Sequence, residues 1–140
     1  MMNENRIERI YQNDNFVFSD FNGLEMERLI VCEIPETKGV AVVFIKAKNR
    51  NWQRFFLDVG FGVWENLKEL DEEEEGYNYI DKTGDFQLVG KKISKIWCEP
   101  DKINCRILIT FETGEKLILR TIESECFDSE SECLILNSSD

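Results

Sequence analysis

The C-terminal third of the chain leaves little choice of fold. LVGKKISKIWCE, CRILITFE, EKLILRTIE and CLIL are four strand-like runs separated by turn chemistry, PDKIN and Thr113-Gly114 among it. Within CRILITFE, Ile107, Ile109 and Phe111 share one face while Arg106, Leu108 and Thr110 share the other, the period-two alternation of a strand in a sheet. Neighbouring strands joined by short loops pair antiparallel, because parallel pairing needs a long crossover. A β meander is therefore predicted.

Upstream, NFVFSDF (Asn15 to Phe21) alternates in the same way and runs into Asn22-Gly23, a strong hairpin signal. The return strand is expected over Glu27 to Ile34, ending at Pro35. Val40 to Lys48 and Trp52 to Val59, separated by a polar turn at Asn49 to Asn51, read as a further antiparallel pair. Two segments read as short helices. Ile7, Ile10 and Tyr11 within Glu4 to Asn13 sit at i, i+3 and i+4, and Trp64, Leu67 and Leu70 are spaced by three. The expected architecture is a single β-rich α+β domain over 1–140, with seven or eight strands in a mostly antiparallel, twisted or half-closed sheet and one or two short helices. The chain's 140 residues, 42% of them hydrophobic, suffice for one core.

No secretion signal is read in MMNENRIERIYQ, which lacks an apolar stretch, and the longest aliphatic run, Val40 to Ile45, is far short of the roughly 20 residues that span a bilayer. A cytoplasmic protein is expected. Of the five cysteines, Cys98 and Cys105, like Cys126 and Cys133, are spaced C-x6-C. Metal knuckles use tighter spacing, so reduced, buried thiols and no metal site are expected. No cofactor is expected.

Charge carries more about function. Against 17 Lys and Arg stand 28 Asp and Glu, a net charge of −11. The excess is uneven: residues 1–70 hold 9 basic and 11 acidic side chains, residues 71–140 hold 8 and 17. Such a field repels phosphate, which argues against nucleic acid or an anionic membrane as partner and is compatible with a basic protein. The densest acidic run is ELDEEEE, Glu69 to Glu75, a solvated stretch by mutual repulsion. Solubility alone is an equally simple reason for the excess.

The sequence contains no histidine. Ser-His-Asp and Cys-His nucleophilic systems and His-ligated zinc are thereby excluded; carboxylate-only chemistry stays open. FFLDVGFGVWE, Phe55 to Glu65, embeds Asp58 and two glycines in apolar residues. It lacks the G-x-G-x-x-G of a dinucleotide loop, placing Glu65 where phosphate would lie, and lacks the Asp-Thr-Gly of an acid protease. A core strand that bends at Gly60 and Gly62, with Asp58 on the face of Arg54, is the reading adopted.

The order RFFLDVGFGVWE, an acidic insertion, LVGKKISKIWCE and then CRILITFETGEKLILRTIE resembles that of bacterial immunity proteins encoded beside polymorphic or contact-dependent toxins. The resemblance covers Arg54 to Glu123. It implies a cytosolic inhibitor, not an enzyme, that binds a cognate, basic toxin domain through an acidic surface. The partner surface expected on this reading comprises Trp64 as aromatic anchor with Glu69, Asp71, Glu72, Glu73, Glu74, Glu75, Asp81 and Asp85; the C-terminal acids, Glu123 to Glu132, are the competing choice. Two other classes stay open: a small ligand-binding or accessory β domain, and a carboxylate-dependent enzyme using Asp58 with another acid.

Overall fold

The computed structural model describes residues 6–11, 21–36, 39–58, 61–70, 76–99, 106–122 and 130–136. Ten strands lie among them: β1 (Arg6–Tyr11), β2 (Met26–Glu33), β3 (Val40–Ala47), β4 (Trp52–Asp58), β5 (Phe61–Leu67), β6 (Asn78–Asp81), β7 (Ile93–Glu99), β8 (Arg106–Phe111), β9 (Lys116–Ile122) and β10 (Glu130–Leu136). All ladders are antiparallel. The sheet is nearly closed into a barrel.

The predicted meander is β7-β8-β9-β10, and it forms because each run alternates. Ile107, Ile109 and Phe111 of β8 point inward with Ile96 and Cys98 of β7 and Leu117 and Leu119 of β9. The β8–β9 turn is a three-residue loop closed by Gly114 N–H donating to Phe111 O at 2.9 Å and Phe111 N–H donating to Glu115 O at 2.9 Å. Gly114 stands at φ +94, the left-handed position that such a loop needs and that a side chain disfavours.

Strand β3 joins this meander to the rest. One edge of β3 carries β2 along its whole length, from Met26 opposite Ala47 to Glu33 opposite Val40. The other edge is divided: Val43 to Lys46 pair with β4, and Val40 pairs with Ser131 of β10. On the far edge of β2, β6 pairs with Ile30 to Glu33; further along, Met26 N–H donates to Lys91 O at 2.9 Å and Gly90 N–H to Met26 O at 3.0 Å. This second contact, extended by the Glu25–Lys92 bridge, brings the start of β7 beside β2. The ring β2-β3-β10-β9-β8-β7 thus nearly closes on itself.

Its interior is one apolar cluster that includes Leu29, Val31, Val43, Ile45, Ile93, Ile96 and Phe111. The segment between β6 and β7 leaves the edge of β2 and packs Leu88, fully buried, into that cluster. Thr83 fixes the point of departure, its hydroxyl accepting from Leu29 N–H at 2.8 Å. Strands β4 and β5 add Phe55 and Trp64 to the same cluster, while Val42, Phe44, Ile30, Cys32 and Leu67 form a second cluster on the opposite face.

Several expectations are corrected. Neither helix forms. Arg6–Tyr11, within the first, is β1, paired with β5, and Phe61–Leu67, containing most of the second, is β5 between β1 and β4. Trp64 and Leu67 lie on opposite faces of β5, one in each cluster, so a spacing of three serves a strand buried on both sides as well as a helix. FFLDVGFGVWE does not lead out of the sheet: Asp58 pairs with Phe61, and the stretch is the β4–β5 hairpin. The strand expected over Asn15 to Phe21 lies mostly outside the described residues, but Gly23 takes the positive φ of +86 expected at Asn-Gly. Cys98 is disulfide-bonded to a partner outside the described residues, against the expectation of reduced thiols throughout; Cys32 and Cys133 are free thiols. No helix among the described residues is long and apolar enough to cross a membrane.

Leu88 tests the inward packing of the β6–β7 segment. Leu88→Ala is expected to cost about 2–5 kcal/mol. Val89→Ala, at a side chain 73% exposed, should change stability by less than about 0.5 kcal/mol. Urea unfolding of both variants checks the contrast.

Candidate functional site

Among the described residues, a groove of about 420 Å³ opens beside β10. Three elements line it. The facing ends of β2 and β3 supply Val31, Glu33 and Val40; the segment after β6 supplies Lys82 and Phe86; β10 supplies Glu132 to Ile135. The floor is apolar because Val31, Val40, Cys133 and Ile135 also belong to, or pack on, the interior cluster. Phe86 is held in place through its backbone, its N–H donating to Lys82 O at 3.0 Å and its carbonyl accepting from Lys91 Nζ at 3.3 Å. Lys91 is in turn paired with Glu115 at 2.7 Å.

Charges stand around the groove in a definite arrangement. Glu132 accepts from Arg120 Nε at 2.6 Å across the β9–β10 pair, and Lys82 lies 3.8 Å from the exposed Asp85. Burial pushes the Cys133 thiol up to about 12, with the Lys82 ammonium pulling the other way. The thiol is therefore protonated and a poor nucleophile at neutral pH. Deeper in the ring, a void of about 10 Å³ lies among Val43, Phe55, Ile107, Leu117 and Cys133, about the smallest space that one water can occupy. That void is far smaller than a small-molecule site.

The expected surface residues fall in different places. Trp64 is 4% exposed, and its indole N–H donates to Gln53 Oε1 at 2.6 Å. Gln53, also buried, donates to Asn51 O at 3.0 Å and to Asn66 Oδ1 at 3.3 Å. Trp64 is consequently a core residue, and its expected role as a surface anchor is corrected. Glu69 is exposed just beyond β5, while Asp71 to Glu75 lie outside the described residues. Asp81 ends β6 in an Asx turn, accepting from Thr83 N–H at 2.9 Å, and pairs with Arg28 at 3.0 Å. Hydrogen bonds from the Thr83 hydroxyl and amide, then Arg28, hold its carboxyl below the ordinary 3.8. Asp81 and Asp85 directly precede Lys82 and Phe86 of the groove in the chain, and Asp85 pairs with Lys82.

One acid that the sequence reading did not single out is Glu65. Its side chain is 3% exposed and lies 3.4 Å from Arg54 NH1. The Arg54 guanidinium rests 5.2 Å from the Phe56 ring centroid and 5.9 Å from that of Phe44. Cross-strand pairing of Arg54 with Glu65 was the available signal, since the two face each other once FFLDVGFGVWE is read as a hairpin. The backbone of Asp58 ends β4, and its side chain lies outside what the structure describes. Among the described residues no group of three or more Cys, Asp or Glu is placed to hold a metal ion.

In comparisons with protein families, with curated proteins and with solved structures, no significant match to this chain was found.

Two outcomes follow from these side chains. Arg54→Met, which takes a cation from beside the buried Glu65, should destabilise the chain by about 3–5 kcal/mol, and Arg54→Met with Glu65→Leu should recover much of that loss; a double-mutant cycle by urea unfolding measures both. A carboxyl whose folded pKa is depressed stabilises the fold above its ordinary pKa and loses that contribution as pH falls through the folded value. Asp81→Asn should therefore be less stable than the native chain at pH 6 and converge with it below 3.8, as unfolding at both pH values will test.

Proposed function

We propose that this protein is an inhibitor of the immunity type, binding and neutralising a basic toxin domain through an acidic surface. The observation that carries the reading is the charge: a net −11, with 17 of the 28 acids in residues 71–140 and no histidine anywhere in the chain. A field of that sign speeds encounter with a cationic partner and discourages anionic ones. Glu33 and Glu132 line one groove, whose Lys82 is paired with Asp85, and this supports a binding surface that draws on the C-terminal acids. Trp64 is not part of it.

The volume of the groove favours one second reading, a ligand-binding β domain, since about 300–1,000 Å³ is the usual range for small-molecule sites. Its floor is apolar with few polar groups, as that reading needs.

Tagged chain incubated with lysate of the source organism, washed at low and at high salt, separates the two. The inhibitor reading expects one basic protein to be held in stoichiometric amount, more weakly at high salt, and to be toxic when expressed alone but harmless when co-expressed with the chain. Retention of no protein whose toxicity the chain relieves would overturn it. A thermal shift with small apolar compounds in the absence of protein partners would then support the ligand reading.

A further inference from the structure

The pairing of β10 is lopsided. On its β9 side it is paired at every position, from Glu130 opposite Ile122 to Leu136 opposite Lys116. On its β3 side the ladder among the described residues consists of Ser131 opposite Val40 alone, because β3 begins at Val40 and the antiparallel register carries Glu132 and the residues after it past that end. Among the described residues, β10 from Glu132 to Leu136, about 16 Å of strand at 3.3 Å per residue, is paired with β9 only. In an antiparallel strand alternate residues point N–H and C=O away from the existing partner. This edge therefore offers a row of donors and acceptors, and the groove lined by Val31, Val40, Phe86, Cys133 and Ile135 lies directly along it.

Edges of this kind are templates for strand addition. We infer that the groove beside β10 receives an extended segment of the basic partner, which adds to β10 as a strand, places alternate apolar side chains on the groove floor and sets basic side chains against Glu33 and Glu132. The inference rests on the inhibitor reading for the identity of the partner, but not for the mode of binding.

Charge decides among occupants. Glu33 and Glu132 outnumber Lys82 in the lining of the groove; Lys82 is already engaged by Asp85, as Glu132 is by Arg120. A second copy would bring its own net −11 to this edge and is repelled at long range. A cationic segment is attracted. The edge at β6 offers less: it is four residues long and carries Asp81 at its end, tied to Arg28.

The test uses the full chain and a library of capped heptapeptides, with Val, Ile, Phe or Tyr at odd positions and Lys, Arg or Thr at even ones, read by amide hydrogen exchange and fluorescence anisotropy. Binding by cationic members, with slowed exchange at amides within Glu132–Leu136, is the expected result. N-methylation of alternate amides of the best peptide, which removes backbone donors and leaves its charge intact, should weaken it at least about tenfold. Glu33→Lys should weaken it as well, with a reduced dependence on salt. Equal binding of the N-methylated peptide, protection elsewhere on the chain, or no binding by any member would overturn the proposal, as would self-association through the same amides without peptide. If the toxin is captured from lysate but Glu132–Leu136 gain no protection from it, strand addition fails while the inhibitor reading stands. If peptides add to β10 but no toxin is found, the inhibitor reading fails while the strand-addition site stands.

Discussion

The structure depends on a strand with no polar face. In β3, VAVVFIKA, Val43 and Ile45 look into the ring and Val42 and Phe44 look out of it, and all four are buried. A strand of this composition cannot lie on a surface; apolar area removed from water at about 25 cal/mol per Å² drives cover onto both of its sides. The inward side is closed by the meander and by Leu88. The outward side is closed in part by Trp52, Phe56, Leu70 and Tyr79, which pack on the second cluster. Because both faces are needed, β3 also serves three strands at its edges, β2 on one and β4 and β10 on the other.

Burial on both faces explains where the polar side chains are spent. Trp64 and Gln53 sit on the inner face of the β4–β5 hairpin, where the indole N–H and the amide satisfy each other and the nearby Asn51 and Asn66. On the outer face Arg54 and Glu65 neutralise one another beside Phe44 and Phe56. A buried ion pair of this kind adds little net stability over an apolar pair of the same volume, yet removal of one member is costly. Its consequence is register. A slip of one residue between β4 and β5 would carry Glu65 to the inner face and separate it from Arg54, so the pair and the Trp64–Gln53 bond specify the same alignment.

How much of this could be read in advance follows from the same faces. Alternation exposes a strand with one wet side, which is why the meander was legible; the β3–β4 hairpin was legible from its β-branched run and polar turn, and the turns at Gly23 and Gly114 from their glycines. Where both sides are dry, as in β5, alternation disappears, and the spacing of Trp64, Leu67 and Leu70 imitates a helix. A buried glutamate is illegible for the opposite reason: among 28 acids, Glu65 differs from the rest only through its cross-strand partner, which pattern alone does not supply. The acidity of the surface was legible as a sum. Its disposition was not, since Asp81 is committed to an Asx turn and Arg28 while Glu132, far away in sequence, stands at the same groove as Lys82.

The point where β3 begins also determines where the barrel is incomplete. A closed ring has no free edges, and an open sheet has two long ones. Among the described residues β10 meets β3 at Ser131 and Val40 alone, because in that antiparallel register Glu132 to Leu136 run past the start of β3. An edge produced in this way is risky unless guarded, and the guards are ones known to discourage aggregation: charged residues beside the strand, here Glu33 and Glu132, and a large net charge of one sign. Those guards repel a like-charged copy and leave the edge open to a segment of opposite charge.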